Sequence, residues 1–166
     1  MKLVCKERLF SRFRGYRVYD DDGKLVFVVK SRPFLERRLD ICDADGKKMA
    51  HLREKRTTWP AEFEMYVSDS HVGERYIGYV TIAEQLQRTK YIVSCNGWSI
   101  ESEWDVNEHT VIDPAGKAVA FVEWKPFGFS RYVINVMQEE HLLLILMFAL
   151  ATDVRFWRLG WWFRFV

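Results

Sequence analysis

Residues 142–151, Leu-Leu-Leu-Ile-Leu-Met-Phe-Ala-Leu-Ala, are apolar around the whole circumference a helix would present. A helix with no polar face must be surrounded on every side, by lipid or by protein. At 1.5 Å per residue this stretch makes about 15 Å of helix. The hydrocarbon core of a bilayer is roughly 30 Å thick. Asp153, Arg155 and Arg158 interrupt any extension into the tail, so the membrane-span reading fails on length. Leu, Met and Ala dominate over β-branched residues, and the run is longer than an ordinary strand, so helix is favoured. Glu139 and Glu140 stand just before it, where carboxylates suit the positive end of the helix dipole. The sequence thus predicts a buried helix near 140–152, and the rest of the chain must supply its enclosure.

That enclosure is legible as a repeated unit: strand, tight turn carrying Asp and Gly-Lys, strand. It occurs over 16–30 around Asp20-Asp-Asp-Gly-Lys24, over 39–53 around Asp43-Ala-Asp-Gly-Lys47, and over 109–125 around Asp113-Pro-Ala-Gly-Lys117. Aspartate bonds nearby backbone amides in such turns, and glycine supplies the positive φ that closes them. A fourth hairpin is expected over 92–100, centred on Asn96-Gly97, the strongest short hairpin signal in the chain. Alternating runs near 3–10, 62–68, 74–82 and 130–137 bring the expectation to about twelve strands. The four prolines all fall between runs. Evenly spaced strands joined by hairpins mean an antiparallel sandwich or barrel. Only a closed barrel offers a lumen for a helix apolar on all faces. The expected fold is mainly β: one domain over 1–154, a closed antiparallel barrel around the helix, with the tail 155–166 packed on the same domain.

Apolar residues at 49% and aromatics at 16% exclude disorder. Net charge is only +2, yet residues 1–56 carry a balance of +7 and residues 57–150 a balance of −7. Such asymmetry marks a face for an anionic partner if folding keeps the charges together; otherwise it is scattered surface charge. Cys5, Cys42 and Cys95 are odd in number and widely spaced, a poor disulfide framework and a poor metal site. No signal-peptide pattern opens the chain, so a cytoplasmic protein, peripheral to a membrane if it meets one, is expected.

The three turn motifs, followed by Ala118-Val-Ala-Phe-Val-Glu-Trp-Lys125, Tyr132-Val-Ile-Asn-Val136 and the Leu-rich helix, resemble the LURP-one-related family. That family has bacterial YxjI-like members and is related to tubby C-terminal domains and phospholipid scramblases. The resemblance runs to about residue 154 and implies a twelve-stranded tubby-like barrel around a central helix. Tubby domains bind phosphoinositide headgroups and scramblases act at membranes, so the resemblance also implies contact with phospholipid. Fold alone does not transfer that function.

The best basic cluster is Lys47, Lys48, Arg53, Lys55 and Arg56, followed by Trp59. Arg53 and Lys55 share one strand face by period-two geometry. Together these cations form a candidate site for a phosphorylated headgroup, with aggregation-blocking charge on an edge strand as the alternative. In the tail, Trp157, Arg158, Trp161, Trp162 and Arg164 have the composition of an interfacial membrane segment. They equally fit packing on the barrel or a homodimer contact, so a self-associating scaffold is the alternative function. No nucleic-acid partner is expected. Catalytic readings are poor: no Gly-x-Ser-x-Gly, P-loop or HExxH occurs, and the four histidines lack metal spacing. The Asp-rich turns fail as calcium loops, lacking the spaced acids and the late glutamate. A non-enzymatic binding protein without cofactor or metal is expected.

Overall fold

The computed structural model describes residues 1–7, 15–32, 38–55, 62–85, 88–102, 108–125 and 130–153. Among these residues, twelve strands precede one α-helix. They are β1 (Lys2–Glu7), β2 (Gly15–Tyr19), β3 (Leu25–Arg32), β4 (Arg38–Asp43), β5 (Lys48–Lys55) and β6 (Glu62–Asp69), then β7 (Gly73–Gln85), β8 (Arg88–Ser94), β9 (Ser99–Glu101), β10 (Glu108–Ile112), β11 (Ala118–Trp124) and β12 (Ser130–Val136). A 3-10 turn, Glu139–His141, leads into α1 (Leu142–Ala151).

The three repeated turns share one geometry. In each, the Asp amide donates to the Lys carbonyl (Asp20 to Lys24 3.0 Å, Asp43 to Lys47 2.9 Å, Asp113 to Lys117 2.9 Å). Each Asp Oδ1 accepts from that Lys amide at 2.8, 2.8 and 2.9 Å. The glycine before the lysine takes φ of 75°, 90° or 79°, a region closed to most side chains. A register shift stands beside every one of these turns, at Val18/Tyr19, Ile41/Cys42 and Val111/Ile112. A bulge of this kind puts one extra residue on one strand and re-aims the side chains beyond it.

All pairings are antiparallel, in the order β8-β7-β6-β5-β4-β3-β2-β1-β12-β11-β10-β9. The terminal strands β8 and β9 follow one another in the chain and lie side by side, which brings the sheet round into a nearly closed barrel. Among the described residues no ladder joins them. The Asn96-Gly97 turn forms as expected, with φ of 44° and 82° and Trp98 N–H donating to the Cys95 carbonyl at 2.9 Å. Directly after it, Trp98 packs into the core, its ring 5.8 Å from Phe148 and 4.9 Å from His141. Burial of this large ring competes with strand pairing, so the strongest hairpin signal produces a turn at the seam of the wall.

Alternate residues of the strands point inward: Leu3 and Cys5 on β1, Leu39 and Ile41 on β4, Phe63 and Met65 on β6 are all at or below 1% exposure. The helix fills the space they surround. Ile145 through Ala151 are seven consecutive residues at 0–1% exposure. At 100° per residue, seven positions cover the full circumference, so the enclosure is complete over two turns. The helix touches both β5 and β12, which are far apart in the sheet order and face each other across the lumen. At its far end, Tyr16 O–H donates to Asp153 Oδ2 at 2.8 Å, tying β2 to the residue just past the helix. No helix among the described residues is long and apolar enough to cross a membrane.

Candidate functional site

The core alternation sends Arg53 and Lys55 outward, opposite the inward Ala50 and Leu52 of the same strand. Their partners across the ladder are acidic: Arg53 stands opposite Glu64, and Lys55 opposite Glu62. Arg53 donates to Glu64 Oε2 from Nε at 2.9 Å and from Nη2 at 2.7 Å, and to the Tyr66 hydroxyl at 2.7 Å. Lys55 Nζ lies 3.2 Å from Glu62 Oε1. Burial would raise the Glu64 pKa, but the bonds from Arg53 and Tyr66 outweigh it and hold the carboxyl below its ordinary range. Directly opposed opposite charges stabilise a sheet, and these two cations are compensated in place. Lys47 is exposed in the turn before β5. Arg56, Trp59 and the tail residues Trp157, Arg158, Trp161, Trp162 and Arg164 lie outside the described residues.

Lys48 belongs to a second group that period-two reading missed. By simple alternation it would face opposite to Arg53. The Ile41/Cys42 register shift leaves Met49 as the extra residue, so Lys48 pairs with Cys42 and projects outward beside Asp40. Asp40 is outward-facing yet 3% exposed, because cations cover it. Arg32 Nε lies 2.6 Å from Oδ2, Arg38 Nε 2.7 Å from Oδ1, and Lys48 Nζ 3.6 Å from Oδ1. Burial opposes ionisation, but the Arg38 bond and the charges of Arg38, Lys48 and Arg32 hold its pKa below the ordinary value.

Glu74, at the start of β7, receives the other ends of this group. Its Oε1 is bonded by Lys48 Nζ and lies 3.2 Å from Arg38 Nη2 and 3.4 Å from His51 Nδ1. Lys48 lowers the Glu74 pKa first, and Arg38 adds to that against partial burial. His51 is 3% exposed, and its Nδ1 makes no hydrogen bond. The ring stacks on Tyr66 at 4.6 Å with planes 5° apart, and Tyr76 meets Tyr66 edge-on at 5.4 Å. Burial, with the charges of Arg38 and Lys48, pulls the His51 pKa down to about 4, so the imidazole is neutral at pH 7. The group spans strands β3 to β7.

The same outer face continues across β1 to β3. Lys6 pairs with Arg17, Lys30 with Asp40, and Arg32 with Arg38, so these side chains share one side of the sheet. Lys6, Arg17, Lys30 and Arg32 are all exposed. Among the described residues, no carboxylate lies within salt-bridge distance of Arg17 or Lys30, although Asp40 stands opposite Lys30 in the ladder. The positive balance of residues 1–56 is therefore partly a spatial feature, on the outside of β1 to β5. The alternation Arg38-x-Asp40 was a usable signal for part of this group. Glu74 and His51 carried none, because two strands, β5 and β6, lie between β4 and β7.

The chain matches the LURP-one-related family over residues 1–153. It is 24% identical over 156 residues to the uncharacterised protein YxjI of Bacillus subtilis (strain 168), with 93% of each chain covered. In solved structures it is similar to an Arabidopsis thaliana protein known from X-ray crystallography. The TM-score is 0.59 at 14% identity, over 93% of this chain and 91% of that one. This last likeness concerns the fold alone. With the family matched over nearly its whole length, the chain belongs to the LURP-one-related family.

Proposed function

We propose that this protein is a binding barrel, not an enzyme, that meets anionic phospholipid headgroups with the outer face of β1 to β5. The observation that carries this reading is the shared outward placement of Lys6, Arg17, Lys30 and Arg32 on three adjacent strands. Each Lys or Arg held near an anionic membrane surface contributes about 1 kcal/mol, and the effect weakens within a Debye length and with salt. Lys48 borders the basic face from β5, and Lys47 from the turn before it, and both add to it. The tail residues Trp157, Arg158, Trp161, Trp162 and Arg164 supply a second, interfacial contact on this reading.

Co-sedimentation with liposomes tests it. Recovery should be higher with anionic than with neutral vesicles, fall with added salt, and drop when Arg17 and Lys30 are both replaced by Glu. Equal recovery on both vesicle types, unaffected by the charge reversals or by deletion of 155–166, would sink the proposal.

A further inference from the structure

Three nitrogens from two strands converge on one oxygen. Arg38 Nη2, Lys48 Nζ and His51 Nδ1 all approach Glu74 Oε1, which comes from a strand two positions further round the barrel. Two of these nitrogens are cationic donors already aligned by a buried carboxylate, since Asp40 holds Arg38 and Lys48 from below. The third is the unpartnered nitrogen of a ring with 3% exposure, locked in place by its stacking on Tyr66. A buried polar atom without a partner is costly and calls for an explanation. The Glu74 side chain, by contrast, is 43% exposed and reaches solvent.

We infer that Arg38, Lys48 and His51 form a phosphate-binding subsite, and that Glu74 occupies it as a built-in competitor that a phosphomonoester must displace. The charge arithmetic fits a dianion. With Glu74 swung away, Arg32, Arg38 and Lys48 surround Asp40, leaving two net positive charges. A phosphomonoester carries about −1.5 to −2 at neutral pH and presents three acceptor oxygens. Arg38 and Lys48 supply charge-assisted donors. His51 gains the partner its Nδ1 lacks, either as the Nδ1–H tautomer or by taking up a proton from solvent.

Proton uptake follows from the groups facing His51: Asp40 and Arg38 on β4, Lys48 and Arg53 on β5, Tyr66 and Glu64 on β6, and Glu74 on β7. A dianion added among them opposes the cationic charges that disfavour imidazolium. The inference deepens the proposed headgroup contact and rests on that reading for its biological ligand; the subsite itself binds the phosphoryl group, from a lipid or free in solution.

The experiment compares wild-type protein with Glu74→Gln by calorimetric titration with inorganic phosphate, and by sedimentation with vesicles containing phosphatidic acid. Glu74→Gln should bind phosphate about tenfold more tightly at neutral pH, because one carboxylate no longer competes for the same nitrogens. Arg38→Gln in the same background should abolish the gain. If Glu74→Gln keeps the wild-type circular dichroism spectrum and binds no tighter, the inference is overturned. Should Glu74→Gln fail to fold, wild-type protein decides the matter through the His51 ring resonances. A phosphate-dependent rise of their pKa from about 4 supports the subsite, and unmoved resonances at high phosphate overturn it. Wild-type recovery on anionic vesicles without a Glu74→Gln gain removes the subsite and leaves the surface reading standing. A gain in free phosphate binding with no vesicle recovery does the reverse.

Discussion

His109 Nε2 donates to Thr152 Oγ1 across 3.0 Å, a direction fixed by the hydroxyl itself. Thr152 Oγ1–H is already committed to the Ala149 carbonyl at 2.9 Å, so the oxygen has only acceptor capacity left. The imidazole is therefore the Nε2–H tautomer, and it ties the wall at β10 to the last turn of the enclosed helix.

That bond predicts acid sensitivity. Burial pushes the His109 pKa down from 6.5 to about 4. Between those values the unfolded chain binds a proton that the folded one refuses, so stability is full above pH 6.5 and lost as pH falls toward 4. A shift of this size is worth about 3 kcal/mol. Urea midpoints of His109→Leu should fall less steeply between pH 7 and 4.5 than those of wild type. Parallel pH profiles in the two proteins would contradict the assignment. His51 acts in the same window and direction, so a residual slope remains in the variant.

Charge placed in the helix separates two neighbouring leucines. Leu146 is 0% exposed, whereas Leu144 is only partly buried. Leu146→Asp should prevent folding, since an unpaired carboxylate there costs several kcal/mol or more. Leu144→Asp should be destabilised yet retain a cooperative melt. Circular dichroism melts check both, and a near-wild-type Leu146→Asp would refute complete enclosure.

Two glycines should respond differently to alanine. Gly78 has φ of 146°, and an added Cβ would sit 2.0 Å from the Ser94 carbonyl oxygen. Gly78→Ala should therefore cost at least about 2 kcal/mol, through strain and displacement of β8 from β7. Gly23, at φ of 75° with no atom within 4 Å, faces only the left-handed conformational penalty. Gly23→Ala should cost about 1 kcal/mol. Chemical denaturation gives both values, and equal costs would contradict the close β7–β8 approach.

Removing the Tyr16 hydroxyl leaves Asp153 short of a buried donor. Tyr16→Phe should lose about 1–3 kcal/mol. Burial and then the Asp153 charge push the Tyr132 hydroxyl pKa well up, and the rings of Tyr16 and Tyr132 meet edge-on at 5.9 Å. Tyr132→Phe should therefore combine non-additively with Tyr16→Phe in a double-mutant cycle, because both act on one carboxyl group. Strict additivity would show that the two tyrosines do not share it.

Much of the site was legible in part. Lys48, Arg53 and Lys55 stand out by composition, and the same-face placement of Arg53 and Lys55 follows from alternation. What alternation does not contain is which strand lies opposite and in what register. Glu64 and Glu62 meet Arg53 and Lys55 only because of the β5–β6 register, and that pairing makes the two cations part of an internal ladder. Lys48 changes sides through a one-residue bulge, a backbone event set by the turn and its neighbours together.

The sequence by itself determined the elements. Three Asp-to-Lys turns close through local hydrogen bonds, and a helix apolar on every face requires an enclosing wall. Local bonds and hydrophobic periodicity act within a few residues, so they are readable in one dimension. Only the tertiary structure decided which charges are spoken for. It set Arg53 against Glu64, buried Asp40 beneath three cations, and brought Glu74 to His51 from a distant strand. Electrostatic partnership depends on distances of a few ångströms between strands, and the closure of the barrel creates those distances.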